Sequence, residues 1–462
     1  MVYVNLPAGQ TVAKYFVRVD YGYFFKPVDN YLSTGQYSYI KGVPFTGRMP
    51  GYSVVYFLFR LLFDRKAAIF CVVGFQFLFS AISVYLMALT AYYIFNSSKC
   101  FYITYALYVL AIFPGFFDFF MVAESLSVST LIFSLYYFVL YVNIAQKNKY
   151  LVLSGFFVAW TIFLREYTGI LLPLFFIVIF FFWFIIKKEK KLFVIGKRLL
   201  LFCLPFTVAE TMWVTRNYVA TKQVILLDSS MEAAYGDLYA KSWQSLDNLV
   251  FTWGINASPF DNNSMGYYYR NPRNVSYPFF PNYIFEGISS YNKDSLVHLR
   301  SFYDAFFYGN DSIQKRKLDN RIVQLCEIYK QDYIAHHPFR YWIVKPLNNL
   351  RYLMLFSGTG YLPFPSYSDC TLLEKCIKLI FCALYYLILL GGAAGLLICC
   401  FIKRSKNFIP CLVLLMCLAI VLTLNFYSEI QEPRYFVQAF ALLFPFAAYF
   451  INLLWAKIKK QV

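Results

Sequence analysis

Apolar residues fall along this chain in runs of about twenty, each closed by a short polar stretch, and that alternation predicts helices crossing a lipid bilayer. The runs cover residues 67–92, 101–119, 122–143, 150–164, 167–186, 199–215, 376–402, 408–427 and 435–455, about nine in all. The fourth is short for a crossing and borrows its polar flanks. Residues 52–63, "YSVVYFLFRLLF", are shorter still and read as an interfacial helix with Arg60 on its wet side. Between 216 and 375 the long apolar runs stop. There "SPFDNNSMGYYYRNPRNVSYPFFPNY" (258–283) predicts loop. "SLVHLRSFYDAFF" and "DNRIVQLCEIYKQDYIAHHP" predict helices, the second ending at Pro338. No internal repeat is visible.

The polar stretches sort by charge. "NSSK" (96–99), "QKNK" (146–149), "KKEKK" with "GKR" (187–198), "KRSK" (403–406) and the tail "KIKK" (457–460) follow alternate runs and are rich in lysine. Short loops rich in Lys and Arg stay cytoplasmic. The other face then carries residues 1–66, the turns near 118–123, 164–168 and 427–434, and the long region 216–375. Four parts result: a first extracytoplasmic loop with its interfacial helix (1–66), a first part of the bundle (67–215), an extracytoplasmic α or α+β domain (216–375), and a C-terminal part of the bundle (376–462). "MVYVNLPAGQTVAKYFVRVDYGYF" is no span and no signal peptide. Its outer placement is served best by a further helix upstream of Met1.

Composition agrees. Of 462 residues, 60% are hydrophobic, 22% aromatic and 14% charged, and the mean hydropathy is +0.53, which fits an all-α polytopic membrane protein and not a soluble one. With 52 Phe and 42 Tyr, many spans should end in aromatics at the headgroup belt. The net charge of +18 would suggest a nucleic-acid partner in a soluble protein. Here the basic residues sit in short loops between spans, so no nucleic acid is expected and membrane lipids are the partner. Seven of the eleven cysteines (Cys71, Cys203, Cys382, Cys399, Cys400, Cys411, Cys417) lie inside apolar runs and act as small hydrophobes; Cys326, Cys370 and Cys376 leave room for one disulfide. His298, His336 and His337 form no ligand set. No GxGxxG or Walker string occurs. No cofactor is therefore expected, and no divalent metal is indicated.

Candidate chemistry gathers on the outer face. The cytoplasmic loops use lysine, whereas the short outer turns use arginine with acids nearby: Glu124 in "MVAESLS", Arg165 and Glu166 in "FLREYTGILLPL", Arg216 in "WVTRNYV", and Glu429, Glu432 and Arg434 in "YSEIQEPRYF". The first loop adds Asp20, Asp29 and Arg48. A guanidinium fork grips phosphate or carboxylate through two bonds, which the ammonium point charge of lysine does not. Any single arginine at a span end is read most simply as snorkelling to headgroups. Three arginine-bearing turns from separate helical pairs point instead to an anion received at headgroup depth. "PFTGRMPGYS" (44–53) is the most specific string: Pro50-Gly51 breaks regular structure at the entry to the interfacial helix, Tyr52 and Tyr56 anchor it, and Arg48 is held near the surface.

These strings, in order, resemble the polyprenyl-phosphate-sugar-dependent glycosyltransferases of the GT-C superfold, in the bacterial branch related to protein O-mannosyltransferases and the lipid A aminoarabinose transferase. "VDYGYFFKPVDNYLSTGQYSY" is similar to that family's Asp-containing first loop, and "GRMPGY" to its entry into a surface helix. "VAESL" resembles its glutamate at the head of a later span, "FLREYTGILLPL" its arginine hairpin, "WVTRNYVATKQVILLDSS" its exit from the membrane, and "EPRYF" its acid-Arg-Tyr turn before the last span. The resemblance covers most of the membrane part and not roughly 230–370. Two features depart from the family: no helix precedes the first loop, and the acid pair often found there is reduced to Asp20 followed by Tyr21, with Asp29 nearby.

The resemblance implies a GT-C-like fold and transfer of a hexosyl or pentosyl group from a polyprenyl-phosphate-linked sugar to a glycan, lipid or protein hydroxyl, with inversion, on the outer face of the plasma membrane. Asp20 would be the catalytic base. Arg48, Arg165, Arg216 and Arg434 would bind the donor phosphate, and Asp29, Glu124, Glu166 and Glu432 would support them. Two other classes stay open. A lipid-linked glycan flippase needs polar residues at mid-membrane and repeated halves, whereas these span centres are nearly all apolar. A glycan polymerase or ligase shares the substrate and the side, and the sequence separates it poorly.

Overall fold

The computed structural model describes residues 21–227, 233–235, 238–255, 264–270, 280–362, 364–365, 367–402, 408–427 and 432–458. Asp20, Glu429, the 403–406 loop, residues 459–460 and much of the 258–283 loop lie outside them.

The described chain is helical, save for one two-stranded antiparallel hairpin, Ala233–Tyr235 with Leu238–Ala240. Six helices are long and apolar enough to cross a membrane: Arg65–Phe95, Ala123–Ile144, Glu166–Ile186, Leu192–Thr221, Leu372–Ile402 and Ile409–Phe426. The chain is a multi-pass membrane protein by helix composition. Two expected spans are broken. Ser98–Leu110 meets Ile112–Phe119 at 51°, and Pro433–Ala441 meets Phe444–Ile458 at 57°, so among the described residues six helices, or eight if each bent pair is one span, are long and apolar enough to cross, against about nine expected. The bends have a local cause. Ala111 is extended (φ −75°, ψ 113°), and Pro114 and Pro445 fall in the first turns of the second segments, where a missing N–H leaves no bond unmade. The fourth expected span is a helix of 17 residues, Asn148–Leu164.

Ala123–Ile144 is the centre of the bundle, with 83% of its apolar window buried against 17% for Leu192–Thr221. Its sequence explains this. Ser125, Ser127, Ser129, Thr130 and Ser134 are small enough for close approach and can bond across helices. Thr161 Oγ1 donates to Thr130 Oγ1 at 2.8 Å, and Ser154 Oγ donates to the Ser134 carbonyl at 3.0 Å. The other face of Asn148–Leu164 packs on Leu192–Thr221 so closely that a Cβ on Gly155 would lie 2.0 Å from the Phe202 carbonyl oxygen.

The interfacial helix forms over Gly51–Leu62. It buries Tyr52, Ser53, Val55 and Tyr56 and exposes Val54, Leu58, Leu61 and Leu62, an apolar face suited to lipid. Arg60 lies at the end of this helix. It is half-buried and bonds Asp29 at 3.2 Å and the Phe63 carbonyl at 2.8 Å.

The region 216–375 is not a body set apart from the bundle. Helix Leu192–Thr221 runs through its expected start and ends at Lys222, in the left-handed region at φ 59°. Near its other end Lys345–Met354 packs against Pro433–Phe436. Between them lies a second hydrophobic core built on Ser242–Thr252, Lys293–Tyr308 and Ser312–His336. The two longer helices match the expected ones and start at side-chain caps, Asn292 with its Ser295 capping box and Asp311. This core absorbs many of the aromatics expected at headgroups, among them Tyr268, Tyr269, Tyr291, Tyr303, Tyr329 and Tyr333. Several of their hydroxyls find partners: Trp253 Nε1 donates to Tyr291 Oη at 3.0 Å, which donates to the Ile284 carbonyl at 2.8 Å. Eleven cysteines are free thiols, Cys326 buried in this core.

Candidate functional site

Glu124 sits in the first turn of the central helix, where the helix dipole favours an anion, and is 1% exposed. Arg165 ends Asn148–Leu164: its backbone turns extended (φ −148°, ψ 99°) before the 3-10 turn Glu166–Ile170, and the side chain is also 1% exposed. Arg165 Nη2 lies 2.5 Å from Glu124 Oε1, and Nη1 donates to Tyr435 Oη at 3.4 Å. Arg434 enters from the turn before the last span. Its Nε is 3.4 Å from the same Glu124 oxygen and pairs with Glu432. Both guanidinium planes lie near the Tyr435 ring, at 4.8 and 5.1 Å from its centre. Tyr167 Oη donates to the Tyr435 carbonyl at 3.2 Å and ties the two turns together.

Arg48 approaches from the first loop. It is 4% exposed, rests 5.2 Å from the Phe24 ring and 5.8 Å from the Tyr23 ring, and is near enough that its charge acts on Tyr435. What brings it there is Gly51. A Cβ at that position would fall 2.4 Å from the Phe163 carbonyl oxygen, so only glycine lets the interfacial helix start on the backbone that leads into Arg165. Trp160 Nε1 holds the contact by donating to the Gly51 carbonyl at 3.2 Å.

Of the four expected phosphate-binding arginines, Arg165 and Arg434 meet at Tyr435, and Arg48 lies within electrostatic reach of it. The fourth, Arg216, does not join them. Its Nη1 donates to the Phe45 carbonyl at 2.7 Å and to Asn217 Oδ1 at 2.9 Å, and its Nη2 donates to the Tyr37 carbonyl at 2.9 Å. That is a clamp on the loop bearing Arg48. Burial pushes the Tyr37 phenol up to about 12, against the opposing pull of its bond to Ser53 Oγ (3.0 Å) and of the Arg216 charge, so the phenol stays protonated.

The supporting acids divide in the same way. Glu124 and Glu432 are in the cluster. Asp29 is held elsewhere, by Arg60, by Arg65 at 3.3 Å and by the Tyr56 hydroxyl at 3.0 Å. Glu166 is half-buried in the 3-10 turn, within electrostatic reach of Tyr167. Asp20 lies outside the described residues.

Arg165 Nε and both Glu124 oxygens lack a well-aligned hydrogen bond. Guanidinium forks gathered in this way, with donor capacity left on Arg165, suit an anion. Beside it runs an apolar groove of about 660 Å³, lined by Pro50, Gly51, Val55, Trp160, Phe163 and Trp213 among others. Pro50 is two residues from Arg48, and Phe163 is two from Arg165. Among the described residues no three His, Cys, Asp or Glu gather as for a metal.

Residues that sequence reasoning missed hold this cluster together: Tyr435, Tyr167, Asp118, Ser125 and Gln76, with Tyr52, which the sequence shows only as an anchor of its helix. Gln76 and Asp118 carried a signal, since each interrupts an apolar run, "GFQFLF" and "GFFDFF".

No protein-family profile and no curated protein sequence matches the chain. Among solved structures it has distant likenesses, all with TM-scores below 0.5. The oligosaccharyltransferase AglB from Archaeoglobus fulgidus, determined in complex with an inhibitory peptide and a dolichol-phosphate, is 12% identical, with a TM-score of 0.45 over 96% of this chain and 48% of AglB. ArnT from Cupriavidus metallidurans in the apo state is 12% identical, with a TM-score of 0.38 over 97% of this chain and 76% of ArnT. ArnT has also been determined bound to undecaprenyl phosphate. The chain thus spans about half the length of AglB.

Proposed function

We propose that this chain is a membrane glycosyltransferase that moves a sugar from a polyprenyl-phosphate donor to an acceptor hydroxyl on the extracytoplasmic face, with inversion. The observation that carries this reading is the convergence of Arg48, Arg165 and Arg434, from three distant turns, on one buried cluster beside an apolar groove. An isoprenoid phosphate has that shape: a long greasy tail and one anionic head. The tail suits the groove, and the phosphate suits the forks.

The chemistry needs three things. The acceptor hydroxyl must lose a proton as its oxygen attacks the anomeric carbon. Asp20 is the base in this reading. The bond from the anomeric carbon to the phosphate oxygen breaks, and the electron pair leaves with the lipid phosphate. That phosphate gains one negative charge, which preplaced guanidiniums stabilise without having to reorganise. Attack opposite the phosphate in a single displacement inverts the anomeric carbon. Glu124 keeps Arg165 and Arg434 apart and oriented, Glu432 holds Arg434, and Arg216 holds the Arg48 loop. The aromatic core at 242–336 belongs to an extracytoplasmic region that shapes the acceptor site.

The test uses purified protein in nanodiscs with radiolabelled polyprenyl-phosphate sugars. Asp20→Asn should lower turnover at least about 100-fold, the usual scale of general-base loss, and the product's anomeric configuration read by NMR should be inverted. Unchanged turnover in Asp20→Asn and in Arg165→Gln would remove this mechanism.

A further inference from the structure

The charged cluster has two halves that reach it by different routes. Arg48 arrives on the loop ahead of the interfacial helix. Glu124 arrives on the turn 116–122, where the broken second span gives way to the central helix. One buried side chain bonds to both routes. Gln76, 0% exposed in the middle of helix Arg65–Phe95, accepts a hydrogen bond from the hydroxyl of Tyr52, four residues after Arg48. Its amide nitrogen donates to the carbonyl of Asp118 at 3.1 Å and to that of Phe120 at 2.9 Å. Those carbonyls lie where regular helix ends, Asp118 in the 3-10 turn Phe116–Phe119 and Phe120 just after it, and the Phe120 carbonyl also accepts from the Val122 amide at 2.9 Å. The same turn is fastened from the other side, where Ser125 Oγ donates to Asp118 Oδ1 at 2.6 Å, one residue from Glu124.

A glutamine is the side chain this junction requires. It offers one acceptor to the phenol and two donors to two carbonyls from a single planar group. Leucine offers neither, and a carboxylate offers only acceptors to oxygens that need donors. A buried amide with both ends satisfied also holds one geometry, since any shift leaves a polar group unpaired in an apolar interior.

We infer that Gln76 is a positioning residue that sets the spacing between the Arg48 half and the Glu124–Arg165–Arg434 half of the site. Its effect on turnover rests on the function proposed above; its effect on the two backbone segments does not. Two measurements separate them. The first is hydrogen–deuterium exchange of the full chain in nanodiscs. Gln76→Leu should raise exchange at residues 116–125 and 50–56 and leave 293–308 unchanged. Wild-type exchange at both segments would overturn the inference, whatever the protein catalyses. The second is turnover of a polyprenyl-phosphate sugar that the wild type consumes. Gln76→Leu should lower kcat about 100-fold, the scale of a 1 Å misplacement, with KM within about threefold. On an Arg48→Ala background the same substitution should cost less than about threefold more. Gln76→Glu at pH 5.5, where the protonated carboxyl can accept from Tyr52 and donate to one carbonyl, should recover several-fold over Gln76→Leu. Full additivity with Arg48→Ala, or no recovery in Gln76→Glu, would reduce Gln76 to a packing residue. Absence of turnover in the wild type would refute the proposed function and leave the exchange result to decide this inference.

Discussion

Gly51→Ala adds one methyl group where two backbones touch. The new Cβ would stand 2.4 Å from the Phe163 carbonyl oxygen, 2.5 Å from its carbon and 2.8 Å from the Leu164 nitrogen. Ordinary contact begins at 3.4 Å, so the gap must open by 3.4 − 2.4 = 1.0 Å. Two effects compete. Alanine is the better helix former by about 1 kcal/mol in a helix interior, and by less at the first position. Overpacking typically costs about 1–3 kcal/mol, and here the obstacle is backbone, which cannot rotate aside. The clash should win by about 1–2 kcal/mol. The displacement also falls between Arg48 and Arg165, so turnover should drop by about 100-fold. Thermal unfolding in detergent and turnover in nanodiscs measure the two consequences. Gly74→Ala is the control: nothing lies within 4 Å of its Cβ position, in the interior of a helix, so it should be neutral or stabilising. A Gly51→Ala protein as stable and as active as Gly74→Ala would mean that the interfacial helix slides freely, and the packing argument for the site would fail.

Glu124→Gln leaves two arginines beside a neutral group in a buried site; breaking such a pair typically costs about 3–5 kcal/mol, so the melting temperature should fall sharply, and combining it with Arg165→Gln should cost less than the sum. Arg216→Lys replaces a fork by a point charge and cannot hold the Phe45 and Tyr37 carbonyls together; turnover should fall although no contact with the Glu124 cluster is lost. The Ser290 side chain and backbone amide, then the Ser289 amide and the neighbouring His336, hold the Asp332 carboxyl below its usual range. A depressed carboxyl stabilises the fold above its unfolded value and loses that contribution as pH falls, so the melting-temperature gap between wild type and Asp332→Asn should close as the pH falls below about 4. On a background without reactive native thiols, a cysteine placed in 258–283 should label from outside intact cells; labelling only after lysis would reverse the topology.

The spans were legible because hydropathy is a local property: about twenty apolar residues in a row admit few other structures in water or lipid. The helices over 293–308 and 312–336 were legible as helices, but not their starts: the caps Asn292 and Asp311 lie ahead of the stretches that the sequence marked as helical. The bends at Ala111 and between Ala441 and Phe444 were hidden, since the apolar run continues across each break and hydropathy carries no information about direction. The arginines show the limit most plainly. Arg165, Arg216 and Arg434 look alike in the sequence, each at a span end beside aromatics. Two of them face Glu124 and one clamps carbonyls, and the difference lies in partners up to 270 residues away along the chain. Residue type and charge decided what could be bound. Which side chains share one pocket was decided only by packing, through Gly51 on the Phe163 backbone and Gln76 between two turns, because such contacts join segments that no local pattern connects.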